Sequence, residues 1–445
     1  MHKKQNTISI IIPVYNEEKY IIKTLDKVIA SNTLHFEKEI IVVDDGSTDH
    51  TPSLVNTFIK KNNKKIRLIT KKNEGKGSAL KLGFLQSHGY IVIVQDAYLE
   101  YNPYIFKNKT ILLPCDDPEW SNFTRYFAQN FQKFKLKKLI STSYAVESKI
   151  HKEGYQTTFF EEKSPKFDKK KTRIKGKFFT LTKDKTGDDR INIDDLDWQY
   201  LEGDGDFRSE EVKKLRDEAD FIITNPPFSL FREFINWILE GNKKFLVIGN
   251  INCIAYKEIF PLLKNNKAWL GTGIGRWISG FIVPKGYELY GTETSLSQNG
   301  ERIVSTNSCL WLTNIDHGKR HQPLALMSMA DNIKFSKHKE IKGIGYKKYD
   351  NYDAIEVPYS DAIPSDYDGI MGVPLTFMNK YCPEQFKIVG PAMGWTHSTM
   401  SKEWKKTVGY KGDIKSKAGT KGYGIIDGVQ IYHRVLITKN KDKNK

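Results

Sequence analysis

Uninterrupted aliphatic runs recur along this chain, and they limit its fold more than any other feature. Ile10-Ile11-Ile12, Ile40-Ile41-Val42-Val43, Ile91-Val92-Ile93-Val94, Ile111-Leu112-Leu113 and Phe221-Ile222-Ile223 place apolar residues at consecutive positions. A strand with one wet face alternates apolar with polar residues. Runs without alternation belong to strands buried on both faces, as in a parallel sheet covered by helices. In the first part of the chain the pattern predicts strands over residues 8–14, 39–43, 65–70 and 90–95, with helices over 17–30, 52–61 and 76–86. Further on it predicts strands over 110–113, 136–143 and 220–224, and a helix over about 122–134. Such sheets bind ligands at the carboxyl ends of their strands. The chemistry is therefore expected in the short segments that follow each run.

The length of 445 residues corresponds to two or three domains. Hydrophobic residues at 39% and aromatics at 12% exclude a wholly disordered chain. Seventy Lys and Arg against 53 Asp and Glu give a net charge of +17, which favours polyanionic partners such as nucleic acid, although the excess is spread thinly. No apolar run approaches the length of a membrane span, and the mean hydropathy is -0.52. Met1-His2-Lys3-Lys4 leads directly into a strand-like segment, without the apolar stretch of a signal peptide. Cys115, Cys253, Cys309 and Cys382 are too scattered for a disulfide framework or a zinc site. A soluble, cytoplasmic protein without a bound metal is the expectation.

In the first part, the strand ends carry Pro13-Val14-Tyr15-Asn16-Glu17-Glu18 and Asp44-Asp45-Gly46-Ser47-Thr48-Asp49, with Gly75-Lys76-Gly77 downstream. Together these motifs resemble the nucleotide-sugar half of family-2 (GT-A) glycosyltransferases, near the dolichyl-phosphate sugar synthases, over residues 7–97. The resemblance implies a partial doubly wound α/β segment in which Pro13, Tyr15, Glu17 and Asp45 hold a nucleotide. Glycosyl transfer of this kind needs two carboxylates spaced Asp-x-Asp to hold a divalent metal against the diphosphate. Here the segment reads Gln95-Asp96-Ala97-Tyr98, so Asp96 stands alone, and the acceptor-binding half is missing as well. Residues 1–97 are therefore expected to be a vestigial nucleotide-binding segment with weak nucleotide-sugar binding at most.

The second part begins near Tyr98. Residues 163–185 hold nine Lys and one Arg against Asp168 and Asp184, which suits either a phosphate-contacting loop or a solvated surface insertion. Then comes a polar turn, Gly203-Asp204-Gly205-Asp206-Phe207, and after it a strand ending in Asn225-Pro226-Pro227-Phe228. The two prolines remove backbone donors and stiffen the loop, leaving carbonyl oxygens to point outward. Asn225 adds a side-chain oxygen beside them. An exocyclic amino group has two hydrogens to give, and such a site accepts both, raising electron density on the nitrogen for attack on an electrophilic methyl group. Phe228 offers a face on which a flipped purine can stack. The bland alternative is a Pro-rich turn closing a strand.

Collinear blocks extend this motif. They include Cys115-Asp116-Asp117-Pro118 with Ser121-Asn122-Phe123, Thr224-Asn225-Pro226-Pro227-Phe228-Ser229-Leu230-Phe231, Cys309-Leu310-Trp311-Leu312-Thr313-Asn314, Tyr349-Asp350-Asn351-Tyr352-Asp353-Ala354-Ile355 and Pro383-Glu384-Gln385-Phe386. Residues 98–435 resemble the EcoRI-type adenine-N6 DNA methyltransferases. The resemblance implies a seven-stranded, Rossmann-like mixed sheet that binds S-adenosylmethionine over its strand ends, and double-stranded DNA as partner. Its cofactor contacts would fall on Cys115, Asp116, Asp117, Pro118, Ser143, Tyr144, Asp206 and Phe207, and its acceptor loop on Asn225, Pro226, Pro227 and Phe228. Each has a plainer reading as a cap or turn residue, Asp117 in particular. The usual glycine fingerprint is replaced by Cys115-Asp116-Asp117-Pro118, and the family's Asp-Glu-Phe-Tyr-Thr stretch upstream of the first cofactor strand is missing.

The resemblance divides the chain into a cofactor-binding catalytic region at 98–268, a target-recognition region at 269–435 and a basic disordered tail at 436–445. At the join, Gln95-Asp96-Ala97-Tyr98-Leu99-Glu100-Tyr101-Asn102-Pro103 suits either parent, as though two coding sequences had recombined, or been joined in error, across a short likeness. Methyl transfer to adenine N6 in duplex DNA, without a metal, is the function expected. The alternatives are a family-2 glycosyltransferase and a non-catalytic DNA-binding fusion.

Overall fold

The computed structural model describes residues 4–95, 103–117, 121–145, 166–187, 191, 195–271, 281–283, 294–296, 302–304, 309–395, 401–411 and 422–440, apart from positions 19, 32, 34–35, 63–65 and 74–75. Gly75, Asp96, Pro118, residues 163–165 of the basic stretch and the tail from 441 lie outside the described residues. The chain divides into two compact units, one of Met1–Asn102 with His317–Lys319 and one of Pro103–Asp316 with Arg320–Lys445.

The first unit is a four-stranded parallel sheet of β1 (Lys4–Val14), β2 (Glu37–Asp44), β3 (Ile66–Thr70) and β4 (Gly89–Val94), in the order β3-β2-β1-β4. Side chains alternate across a strand, so neighbouring aliphatics enter different cores. Ile10, Ile12 and Val42 pack with Leu25 and Val55 from helices Ile21–Ala30 and Thr51–Asn62, while Ile11, Ile41 and Val43 pack on the other face with Ala79 of helix Lys76–Leu85. Both faces of the central strands are thus covered. β4 departs from the expected burial. It closes the sheet as an edge strand, and Tyr90, Ile91, Ile93 and Val94 are exposed.

The second unit is built on β5 (Thr110–Leu113), β6 (Lys138–Ser143), β7 (Lys177–Leu181), β8 (Asp197–Tyr200), β9 (Phe221–Thr224), β10 (Lys244–Asn250) and β11 (Trp269–Leu270). After them β12 (Phe281–Val283), β13 (Thr294–Leu296) and β14 (Arg302–Val304) form a separate antiparallel sheet, and β15 (Cys309–Thr313) returns to the main one. The main sheet has eight strands, ordered β11-β15-β10-β9-β5-β6-β7-β8, where seven were expected. The two-residue β11, paired antiparallel to the end of β15, is too short to leave a periodic signal. The four central strands, β10, β9, β5 and β6, run parallel, and the strands flanking them run antiparallel. Chain order reverses between β5 and β9, which makes that gap the switch point where such sheets bind ligands.

Three sequence expectations are corrected. The basic stretch is not an open loop, because it forms helix Lys169–Ile174 and strand β7, and Lys177 is buried with its ammonium over the Trp198 ring. The line at residue 269 does not separate two bodies, since β11 and β15 belong to the main sheet. The tail does not begin at 436. The last strands, β16 (Ala354–Glu356), β17 (Ile370–Pro374), β18 (Phe386–Ala392), the hairpin pair β19 (Ile425–Ile426) and β20 (Val429–Gln430), and β21 (Arg434–Lys439), include a sheet ordered β16-β17-β21-β18 in which Val435, Leu436 and Ile437 are fully buried. Val373, Phe386 and Ile437 share one apolar core with Leu112, Ile222 and Phe234 of the main sheet region. Glu356 of β16 is clamped by Arg434 of β21, at 2.6 Å, and by the Tyr349 hydroxyl.

Gly205 positions the polar turn. Its φ is +90°, and a Cβ there would stand 2.5 Å from the Ser143 carbonyl oxygen at the end of β6. Backbone bonds from Ala145 to Asp204 and from Gly176 to Gly203 hold the turn in that close approach. Gly205→Ala is expected to cost about 1–3 kcal/mol of stability, read as a lower midpoint in urea or thermal unfolding of the full chain.

Candidate active site

Three segments leave the carboxyl ends of central strands, 114–117 after β5, Tyr144 after β6 and 225–228 after β9, and the 203–207 turn that follows edge strand β8 is packed against the end of β6. β9 itself is completely buried. The next residue, Asn225, is exposed, Pro226 is buried, and Phe228 begins a short 3-10 turn with its ring 47% exposed. The Pro227 carbonyl accepts the Leu230 N–H at 3.0 Å and is thereby used up in that turn. Among the described residues, nothing donates to the Pro226 carbonyl or pairs with the Asn225 side chain. The loop therefore holds two acceptors without partners among the described residues, beside an exposed aromatic residue at the switch point.

Behind this loop lies Asp116, only 6% exposed. Its Oδ1 accepts the Ser121 hydroxyl at 2.7 Å, and its Oδ2 lies 2.5 Å from the Thr224 hydroxyl. Thr224 Oγ1 is also 2.8 Å from the Pro114 carbonyl. One hydroxyl carries one hydrogen, so Thr224 cannot donate fully to both acceptors. A protonated Asp116 resolves the conflict, because its carboxyl O–H donates to Thr224 and Thr224 then donates to Pro114. Burial pushes this carboxyl up to about 6, against the opposing hydrogen bonds from Thr224 and Ser121. The Asp116 carbonyl in turn accepts hydroxyls from Thr124, at 3.0 Å, and Ser141. Sequence reasoning gave Asp116 a cofactor contact. The structure instead turns its carboxylate inward onto protein hydroxyls. Helix Asn122–Gln129 is capped by Ser121, which accepts the Phe123 and Thr124 N–H groups, rather than by Asp117.

In front, Cys115 holds φ +65°, with its thiol beside the Tyr144 hydroxyl. The Phe207 backbone N–H lies near the same phenol. Burial pushes the Cys115 thiol up to about 12 and raises the Tyr144 phenol too, so both are neutral near pH 7. Asp206 is held below the usual carboxylate range by Arg208, whose Nη2 sits 2.6 Å from Oδ2. Asp117, Tyr144, Asp206 and Cys115 are each half-buried. Ser143 is buried, and its carbonyl faces Gly205. Phe207 is different. Its ring is fully buried, 5.1 Å from Phe234 and 5.6 Å from Trp237, so only its backbone reaches the site. Thr224 and Ser121 were missed as site residues, although a hydroxyl preceding Asn225 and a Ser preceding a helix were both visible signals.

In the first unit, Pro13 and Glu17 are buried and Tyr15 is 44% exposed. Asp45 is 3% exposed and ion-paired with Lys71 at 2.8 Å. Asn16, with φ +55°, straps the two motifs together by accepting the Thr48 N–H at 2.8 Å.

The family described as adenine-specific methyltransferase EcoRI matches residues 91–441. The chain belongs to that family. This adenine-specific methyltransferase is 45% identical over 291 residues to the Type II methyltransferase M.EcoRI of Escherichia coli, covering 65% of this chain and 81% of that protein. It is 34% identical over 342 residues to the Type II methyltransferase M.MgeORF184P of Mycoplasma genitalium, covering 76% of this chain and 90% of that one. The N-terminal region is similar instead to the dolichyl-phosphate beta-glucosyltransferase of Dictyostelium discoideum, 41% identical over 98 residues. That match covers 20% of this chain and 30% of the relative, so the glycosyltransferase likeness is confined to a fragment. No helix among the described residues is long and apolar enough to cross a membrane.

The raised Asp116 carboxyl has a consequence for stability. Its folded value of about 6 lies above the ordinary 3.8, so the fold favours the protonated form. That contribution is complete below pH 4 and is lost as pH rises through 6. Asp116→Asn, which has no charge to bury, is expected to gain on the parent between pH 4 and pH 7 by up to roughly 3 kcal/mol. Thermal melts of both proteins across that range check it. An unfolding-midpoint difference that stays constant with pH contradicts it.

Proposed function

We propose that the methyltransferase moves a methyl group from S-adenosylmethionine to N6 of an adenine flipped out of duplex DNA, in the manner of restriction-modification enzymes. The observation that carries this reading is the pair of acceptors, Asn225 Oδ1 and the Pro226 carbonyl, standing without internal partners at the end of a wholly buried strand. One amine hydrogen goes to each, which turns the nitrogen lone pair toward the incoming methyl group. Phe228 stacks on the extruded purine. Neither acceptor is basic enough to keep a proton, so the proton released from the methylated nitrogen passes to water.

The groups at the other strand ends fit the cofactor. The carboxylates of Asp117 and Asp206 suit an ammonium and ribose hydroxyls, and neutral Tyr144 and Cys115 can line the pocket without adding charge. When bound, S-adenosylmethionine supplies the electrophilic methyl. Asp116 supports the site from behind, and Phe207 contributes its backbone. Pro118 belongs to this turn by resemblance. No metal takes part in this chemistry. DNA recognition falls to the chain from about residue 269, with the basic helix Lys169–Ile174 available to phosphates. The nucleotide pocket of the first unit, at Pro13, Tyr15, Glu17 and Asp45, binds a nucleotide sugar weakly at most, with Asp96 as its lone metal-side carboxylate.

Asn225→Ala is expected to lower the methyl-transfer rate by about 10²-fold or more, on the scale of one positioned hydrogen-bonding group, with S-adenosylmethionine affinity little changed. Phe228→Ala is expected to weaken capture of the adenine by roughly 1–3 kcal/mol. Tritium transfer into duplex DNA followed by nucleoside digestion measures both and identifies the product. N6-methyladenine is expected, and 5-methylcytosine would overturn the assignment. The purified full chain is also expected to transfer no sugar from a labelled nucleotide donor to a lipid phosphate acceptor, as assayed by partition into organic solvent.

A further inference from the structure

The ladder between β5 and β9 pairs Ile111 with Phe221 and Leu112 with Ile222, and no further pair follows. Beyond that level the two strands part to form the crevice. On its other side β9 stays paired with β10 as far as Thr224, opposite Val247. The β5 side of Thr224 is therefore held by side-chain bonds alone, the ones from its hydroxyl to Asp116 and to the Pro114 carbonyl. The residue after Thr224 is Asn225.

We propose that Asp116 is a positioning residue for methyl transfer: through Thr224 it stitches the opened crevice and fixes the point from which Asn225 and the Pro226 carbonyl project. The turn beneath the cofactor and the loop that holds the amine are thereby one rigid piece. The inference rests on the reading of the 225–228 loop given above. Helix capping does not account for Asp116, since Ser121 accepts both helix N–H groups with its own oxygen. Nor does charge complementarity, since no cation is paired with this carboxylate among the described residues. What the arrangement supplies is a fixed distance between two strand ends that the backbone no longer connects. A misplacement of an ångström at a reacting group is enough to slow a reaction about 10²-fold.

The test uses the full chain, duplex DNA and labelled S-adenosylmethionine in single-turnover assays, with cofactor affinity and unfolding midpoint measured alongside. Thr224→Val keeps shape and removes the hydroxyl. It is expected to slow transfer by about 10- to 10²-fold, with the cofactor dissociation constant within about three-fold of the parent's, and Thr224→Ser is expected to restore most of the rate. Asp116→Ala, which removes the carboxyl, is expected to slow transfer similarly, whereas Asp116→Asn, whose amide N–H donates to Thr224 as the carboxyl O–H does, is expected to keep most of the rate. The double variant Asp116→Ala with Thr224→Val should be no slower than the slower single, because both break one linkage. Parental rates in Thr224→Val and Asp116→Ala, with Asn225→Ala slow, would refute the stitch and leave the loop reading standing. A parental rate in Asn225→Ala would remove the loop reading itself. If Thr224→Val lost cofactor affinity by the same factor as rate, the network would serve cofactor binding and the proposal would fall. Should Thr224→Val not fold, Asp116→Ala with Thr224→Ser as the folded control gives the same decision.

Discussion

Burial of the parallel strands on both faces is the constraint from which the rest of this structure follows. Leu112, Ile140, Ile222 and Val247 are wholly enclosed, so a polar group carried within these strands needs an internal partner, as Ser141 has in the Asp116 carbonyl and Thr142 in the Cys115 N–H. A buried donor or acceptor without a partner costs free energy comparable to a lost hydrogen bond. Functional groups are left with the strand ends. Because the four strands run parallel, their carboxyl ends lie on one side, and Cys115, Tyr144 and Asn225 meet there although 110 positions of sequence separate the first from the last.

That same constraint decided what could be read from the sequence. Strands with unbroken aliphatic runs are legible because burial dictates every residue in them, and Asn225-Pro226-Pro227-Phe228 is legible because its chemistry is local. Phe207 is not. Its turn is local, but the direction of its ring is set by Phe234 and Trp237 on helix Phe231–Glu240, which no nearby residue announces. Asp116 and Asp117 are chemically alike, and which carboxylate turns inward depends on the hydroxyls of Ser121 and Thr224. The basic stretch misled for a related reason. Local charge suggested a wet loop, whereas pairing of β7 with β6 and stacking of Lys177 on Trp198 override it.

The first unit shows how far a motif can persist as shape. Asn16 still ties the two loops, and Asp45 still sits at the end of β2, now in an ion pair with Lys71. Its sheet, however, ends at β4 with an apolar edge strand exposed. A glycosyltransferase-like beginning and an adenine methyltransferase thus occupy one chain, each unit with a core of its own.

The turn after β5 bears on how enzymes of this kind are detected at all. Cys115 holds φ +65°, the left-handed conformation that glycine adopts freely and that costs an ordinary residue roughly 1–2 kcal/mol. The backbone there has the glycine-type bend without the glycine. A pattern that spells this bend by glycine passes over such a sequence, whereas a comparison of backbone angles would find it. Catalogues of methyltransferases compiled from the glycine signature alone are, on this showing, biased toward one spelling of a bend that other residues can also make.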